Sequence, residues 1–322
     1  MKKVGITGPP GSGKTTLWRA ISGLEPTTDI ATVSVPDARL DLLSDLHRSR
    51  NKVGAQIQLE DLHATARTAA AATARLRDMD AILFVAPMFG GLDADGAVRT
   101  ARDDFLLADM GPVETRLNRA RKDPAAKGEV PALETAAKVL EDGEFLSTRT
   151  WEPQELAVFS PLALLTLKPL IIVANVDEAS MQQPLPQWGF ASFAVSAALE
   201  AEVAQMKPDE AAEFLQAYGI GEPAVSKVIE GVYRSLDLIT FFTASDKESR
   251  AWEVRRGATA PEAAGVIHSD LQRGFIRAEV VGYDDLVAAG SWDAAKAKGL
   301  TRVEGKDYVF KEADVTHFRF AV

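Results

Sequence analysis

Two hydrophobic periods divide this chain. Residues 4–7 form a short apolar strand candidate, and 55–61 alternate apolar with polar, as a strand with one covered face does. Residues 80–86 and 168–175 are continuous apolar runs, which suit strands buried on both faces of a parallel sheet. A shorter strand is expected over 190–195. Elsewhere the period becomes helical. Leu106, Met110, Val113 and Leu117 mark one face of 97–122, and Leu133, Ala137 and Leu140 mark another after a break between Pro124 and Pro131. These predict two antiparallel helices, either an arm projecting from the body or helices packed on it. Further helices are expected over 16–22, the Ala-rich 67–78, 156–167 and 200–236, the last interrupted at Tyr218-Gly-Ile-Gly-Glu-Pro. Residues 23–39 read as a turn-rich run. Beyond 238, four or five strands (239–243, 251–256, 274–281 and 315–322 among them) and a helix at 260–268 predict a small α+β module.

Chemistry enters at residues 8–15, Gly-Pro-Pro-Gly-Ser-Gly-Lys-Thr, which fit G-x-x-x-x-G-K-[ST] and lie between a strand and a helix. The loop's glycines, Gly8, Gly11 and Gly13, allow backbone N–H groups to converge on an anion where a side chain would block the approach. The helix start adds its positive dipole end. The expected cradle comprises Gly8, Pro9, Pro10, Gly11, Ser12, Gly13, Lys14, Thr15 and Thr16. Lys14 should reach the β- and γ-phosphates, and Thr15 should hold Mg²⁺. A threonine sensing the γ-phosphate is sought among Thr27, Thr28 and Thr32. Asp61, at a strand end, is either a second magnesium-site carboxylate or a cap for the next helix. The D-x-x-G pattern of switch loops here gives Asp61-Leu-His-Ala64, without the glycine. Asn175-Val-Asp-Glu178 stands at the C-terminal end of a strand, where ligands sit in open α/β sheets. Guanine-specific proteins carry N-K-x-D there. Val176 and Glu178 replace its Lys and Asp, which argues against guanine. Ser196 and Ala197 follow the next strand as base-contacting candidates.

Composition narrows the setting. A hydrophobic share of 46% and a charged share of 25% are those of an ordinary globular protein. The longest apolar run is of strand length, and the segment after Lys2-Lys3 breaks at once into the glycine loop, so neither a membrane span nor a signal peptide is expected and a cytoplasmic location is. Absence of cysteine excludes disulfides and thiolate metal sites, and no metal beyond magnesium is expected. A net charge of −10 argues against wide nucleic-acid binding but permits a local basic patch.

Several long motifs resemble the YchF-type Obg-like ATPases, a branch of the translation-factor P-loop NTPases. Near the C-terminus these are Leu238-Ile-Thr-Phe-Phe-Thr-Ala, Arg250-Ala-Trp-Glu-Val-Arg-Arg-Gly257, Ala260-Pro-Glu-Ala-Ala-Gly-Val-Ile-His268, Arg273-Gly-Phe-Ile-Arg-Ala-Glu279, Tyr283-Asp-Asp-Leu and Val315-Thr-His-Phe-Arg-Phe320, similar to that family's ubiquitin-like TGS module. Val35-Pro-Asp-Ala-Arg-Leu40, Leu106-Leu-Ala-Asp109 and residues 168–178 are similar to its nucleotide domain and arm. The resemblance implies an ATP-preferring NTPase that associates with ribosomes, with N-x-x-E (Asn175 and Glu178) in place of the guanine-reading motif. The chain departs from the family in having Gly11-Ser12 before Gly13-Lys14-Thr15, and in a shorter switch region. Where the family places a histidine proposed to position the attacking water, this chain has Arg75. A guanidinium can stabilise phosphate charge but cannot act as a base. His63 is the nearest alternative, or else an ordinary surface or core histidine.

The expected fold is therefore α/β, a P-loop NTPase parallel sheet with an inserted antiparallel helical arm and a C-terminal β-grasp (TGS) domain. Its bounds are 1–95 and 151–200 for the nucleotide domain, 96–150 for the arm, 201–236 for a helical connector and 237–322 for the TGS domain. Lys247, Arg250, Arg255, Arg256, Arg273 and Arg277, with Trp252 and Phe275 to stack, make a candidate patch for ribosomal RNA, or a charged strand edge. His268 and His317 read as structural. The expected activity is ATP binding (GTP less so) with Mg²⁺ and slow hydrolysis, with Lys14 neutralising charge. The rivals are a nucleotide-dependent binding module without turnover and a small-molecule kinase.

Overall fold

The computed structural model describes residues 1–23, 29–62 and 69–321. The chain forms two compact units, one of residues 2–32 and 58–228, the other of Met1, 33–57 and 229–322. Among the described residues no helix is long and apolar enough to cross a membrane.

In chain order the elements are β1 (Lys2–Thr7), α1 (Lys14–Ser22), β2 (Ile30–Ser34), α2 (Ala38–His47), β3 (Asn51–Val53), β4 (Gln56–Asp61), α3 (Ala69–Leu76), β5 (Ala81–Met88), α4 (Ala94–Ala120), α5 (Val130–Glu141), α6 (Pro153–Phe159), β6 (Leu170–Val176), β7 (Ala191–Val195), α7 (Ala197–Val203), α8 (Pro208–Ala217) and α9 (Ala224–Ser235). Strand order in the first sheet is β2-β4-β1-β5-β6-β7. The pairs β1–β5, β5–β6 and β6–β7 are parallel, as the continuous apolar runs imply. Every residue of β6 is buried, and all of β5 except Met88. Gly5 lets α3 and its flanks lie close on β1, since a Cβ there would come within 3.1 Å of Leu76 of α3 and 2.9 Å of Leu62 and Met79. Helices α4 and α5 pack antiparallel, joined by a 3₁₀ turn at Pro124–Glu129, and bury Val113, Leu117, Leu133 and Leu140 with Phe84, Phe105 and Phe145 in one core.

Two expectations change. The helix expected over 156–167 stops at Phe159, followed by 3₁₀ turns at Ser160–Leu162 and Leu165–Leu167. Pro161 lacks the N–H that would continue the ladder, and Ala163 takes a left-handed φ of 47°. The turn-rich run 23–39 contains β2 and the start of α2, which Asp37 caps by accepting from Arg39 N at 3.0 Å.

The second unit carries β8 (Leu238–Ala244), β9 (Glu248–Arg255), α10 (Ala260–Ile267), α11 (Ser269–Arg273), β10 (Phe275–Gly282), α12 (Tyr283–Ala289), α13 (Trp292–Ala297), β11 (Arg302–Glu304) and β12 (Asp314–Phe320). Its sheet runs β11-β10-β12-β8-β9-β3, mostly antiparallel, with β12–β8 and β3–β9 parallel. Strand β3, from the 33–57 segment, pairs Asn51 to Val53 with Glu248 to Arg250. Alternation along β8 sends Ile239 and Phe241 into the core under α10, while Phe242 lies beneath Arg39 of α2 (5.3 Å) and beside Tyr283 of α12. Both faces are covered, which is why β8 is almost wholly buried.

Candidate functional site

Strand β1 ends at Thr7 and the chain turns through the glycine loop into α1. Gly8, Gly11 and Gly13 take φ values of 149°, 76° and 90°. At two of them a side chain is excluded twice over. A Cβ on Gly8 would lie 2.5 Å from the Val85 carbonyl, and one on Gly13 would collide with Asn175 Nδ2. Gly13 is the left-handed N-cap of α1 and brings no side-chain cap, leaving first-turn amides for an anion. The Pro9 carbonyl accepts from Ser12 N at 3.2 Å and from Lys14 Nζ at 2.6 Å. Lys14 is only 7% exposed. Burial lowers its pKa, and the nearby Asp61 carboxylate opposes that shift.

Thr15 Oγ1 donates to Asp61 Oδ2 at 2.9 Å across 46 residues of sequence. This pair of hard oxygen donors fits magnesium, which takes one or two protein oxygens and fills its remaining positions from phosphate and water. Among the described residues no trio of His, Asp or Glu offers a fuller cage. Glu60 and Asp61 are consecutive on β4 and so point to opposite faces. Asp61 meets α1; Glu60, equally buried, takes Arg75 Nε at 3.1 Å and the Arg75 Nη2 as well. Arg75 thus stands across the sheet from the Thr15–Asp61 pair, and its ion pair with Glu60 raises its pKa. His63, Ala64, Thr27 and Thr28 lie outside the described residues; Thr32 lies within β2.

At the other end of the loop, Asn175 closes β6 with both ends of its amide engaged. Nδ2 donates to Ser12 O at 2.9 Å, and Oδ1 accepts from Ala197 N at 3.0 Å. Glycine loop and α7 are therefore held by one side chain. Ser196 is the N-cap of α7, accepting from Leu199 N at 3.5 Å, so residues 196–198 begin a helix rather than form an open loop. A cavity of about 610 Å³ opens here, lined by Gly11, Gly13, Thr16, Asn175, Val176, Glu178, Ser196 and Ala197, and also by Phe89, Asp177, Ala179 and Ala198. Val176 is buried where it lines the cavity, while Glu178 is exposed at the rim. Phe89 and Asp177 escaped sequence reasoning. The signal was the same as for Asn175, a position at the C-terminal end of a strand, the neighbouring β5 for Phe89 and β6 itself for Asp177.

In the second unit three of the six candidate basic side chains are matched by acids. Arg256 pairs with Asp237 at 3.0 Å, Arg273 with Asp270, and Arg250 lies 4.0 Å from Glu248 and over the Trp252 ring at 4.1 Å. Phe275 is unavailable for stacking on a base, because it is buried against Phe318. Lys247, Arg255 and Arg277 lie on or beside β9 and β10. His268 caps α11 and His317 stacks on Trp292, so both are structural.

A sheet with parallel strands β1, β5, β6 and β7, in which β1 leads into a glycine cradle, a lysine and a Thr–Asp oxygen pair, defines the P-loop nucleotide-binding class. Within it, residues 238–321 match the family model YchF-GTPase_C, described as a protein of unknown function. The chain is 36% identical to the ribosome-binding ATPase YchF of Haemophilus ducreyi, with 99% of each chain covered, and 34% identical to that of Bacillus subtilis over the same shares. It is 32% identical to Obg-like ATPase 1 of Oryza sativa subsp. indica, covering 99% of this chain and 92% of that one. The solved structure of the Schizosaccharomyces pombe YchF GTPase superposes with a TM-score of 0.91 at 27% identity, covering 99% and 97% of the two chains. The chain belongs to the YchF family. Its alignment with the H. ducreyi protein runs over 362 positions against 322 residues here, so the relative carries segments without a counterpart in this chain.

Proposed function

We propose that this protein binds ATP with magnesium, hydrolyses it slowly and couples the bound state to the ribosome. The observation that carries the reading is the cradle itself: two glycines whose replacement would clash, opening onto Lys14 and the Thr15–Asp61 pair. Amides from Gly8 to Thr16 would bind the β- and γ-phosphates, and Lys14 would move from the Pro9 carbonyl to them. Magnesium, held by Thr15 with Asp61 behind it, supplies neutralisation of the charge that builds as the γ-phosphoryl departs. At the base end, Asn175 acts by fixing the loop to α7. Glu178, Ser196 and the amides around Ala197 face the ring, with Phe89 as a flanking surface. ATP is preferred over GTP because Val176 lacks the lysine chain that packs over the loop in guanine sites and the longer Glu178 displaces the carboxylate that guanine would need. Relatives carry both the ATPase and the GTPase name.

Slow turnover follows from Arg75 pairing with Glu60 on the far face of β4, which leaves no described side chain set to orient water. The same observation favours a second reading, a nucleotide-dependent binding module without hydrolysis. Support for ribosome association comes from relatives named ribosome-binding ATPases. Residues 237–322 would be the TGS β-grasp module and the α4–α5 pair the arm, both meeting the ribosome, and the protein would work in the cytoplasm. Calorimetric titration of ATP and GTP, with and without Mg²⁺, tests the reading. Magnesium-dependent ATP binding at least about tenfold tighter than GTP is expected; GTP preference would remove the assignment of Asn175 and Glu178. Phosphate release over hours separates the ATPase from the binding module.

A further inference from the structure

The larger cavity of the first unit lies on the side of the glycine loop away from the base pocket. It encloses about 650 Å³, within the range of sites that hold small organic molecules. Its floor is apolar, built from Leu76 of α3, Phe84 of β5 and Phe105 of α4, with Pro9 and Pro10 as one wall. Asp93, the N-cap of α4 whose Oδ1 accepts from Gly96 N at 2.8 Å, is followed on one face at helical spacing by Ala97, Thr100, Ala101 and Asp104. Short side chains there and at Ala72 and Thr73 of α3 leave the space open. Two carboxylates, Asp93 and Asp104, are exposed where they line it, and no Lys or Arg is among its described lining residues. An apolar body is therefore matched with negative charge and hydroxyl acceptors at the edge.

We propose that this cavity is a binding site for a small organic cation, an amine carried on an aromatic or branched aliphatic body. The ring or chain lies on Phe84, Leu76 and Phe105, and the ammonium meets Asp104 and Asp93. Pro9 gives the site a connection to the glycine loop. It walls the cavity and its carbonyl holds Lys14 Nζ at 2.6 Å, so an occupant that fixes Pro9 acts on the lysine. Nothing proposed for the base pocket requires this second site to exist, and its existence does not depend on which nucleotide binds.

The test is calorimetry on the full chain without nucleotide, using 2-phenylethylamine as probe, with 2-phenylethanol and 3-phenylpropionate as uncharged and anionic counterparts. The amine is expected to bind about three- to tenfold tighter than either counterpart, the size of one or two charge contacts at a solvent-exposed rim. Ala97→Leu, which fills the cavity, should abolish binding, and Asp104→Asn should weaken the amine about three- to tenfold while leaving the alcohol unchanged. Magnesium-ATP titration of both variants reports that the rest of the unit is intact. No heat at millimolar amine, equal binding of amine and alcohol, or amine binding unchanged in both variants overturns the proposal. If Ala97→Leu does not fold, the Asp104→Asn comparison decides alone.

Discussion

The two faces of the first sheet do different work. On the α1 face, Thr15 Oγ1 donates directly to Asp61, and the loop's geometry is set by glycine conformations and close approach. On the α3–α4 face, side chains carry the structure. Glu60 takes Arg75, and Asp109, fully buried, accepts from Arg77 Nη1 at 3.1 Å, from Thr166 N at 2.8 Å and from Thr166 Oγ1 at 2.9 Å. Arg77 also donates to the carbonyls of Ala108 and Ala163, and Lys168 to those of Arg77 and Met79. The α1 face closes around the glycine loop, while on the other face this buried polar network anchors α4 and the turn before β6, away from the cavity lined by Phe84 and Phe105. Adjacent residues of β4 belong to separate tasks for no reason beyond the alternation of a strand.

That contrast can be broken by substitutions on either side. The largest effect is expected from Asp109→Ala, which leaves both Thr166 donors without their acceptor and Arg77 without its counter-charge, held only by the Ala108, Leu162 and Ala163 carbonyls. Chemical denaturation should show a loss of about 3 kcal/mol, with ATP affinity of the folded fraction unchanged. Gly13→Ala should do the reverse, since strain at φ 90° and the collision with Asn175 act on the loop. Nucleotide affinity should fall more than about a hundredfold by calorimetry with a smaller change in melting temperature. Asp61→Asn is expected to remove about tenfold of ATP affinity in Mg²⁺ and much less in EDTA; equal losses in both would detach Asp61 from the metal. Arg75→Ala has the smallest expected effect on turnover, with phosphate release within about twofold of the parent, while the buried Glu60 left without its cation costs about 2 kcal/mol of stability. A large fall in release would bring Arg75 back to the chemistry.

Legibility in the sequence followed the same division. The glycine loop, Lys14, Thr15, Asp61 and Asn175 could be read because backbone-made sites demand particular residues at fixed spacing. The strands of the first sheet could be read because double-sided burial leaves continuous apolar runs. Arg75 could be numbered but not placed, since which face of β4 it meets depends on how α3 packs. Strand β2 was hidden by its shortness, and the false helix after Phe159 arose from an apolar pattern that Pro161 interrupts. Phe275 offers the same lesson: an aromatic among basic residues suggests stacking until alternation along β10 turns it inward. The pairing of β3 with β9 left no mark at all, because three residues carry too little pattern to name a partner so distant in sequence.

That last pairing bears on how the protein is made. Residues 33–57 leave the polymerising machinery long before 238–255, yet β3 and α2 complete the later unit, where Leu40 and Leu43 are buried. During synthesis this stretch must wait, its apolar side chains uncovered, until the final third of the polypeptide emerges. A fragment cut at 229 would correspondingly lack its outer strand and the helix above Phe242. It should clump unless 33–57 is supplied in trans or grafted on.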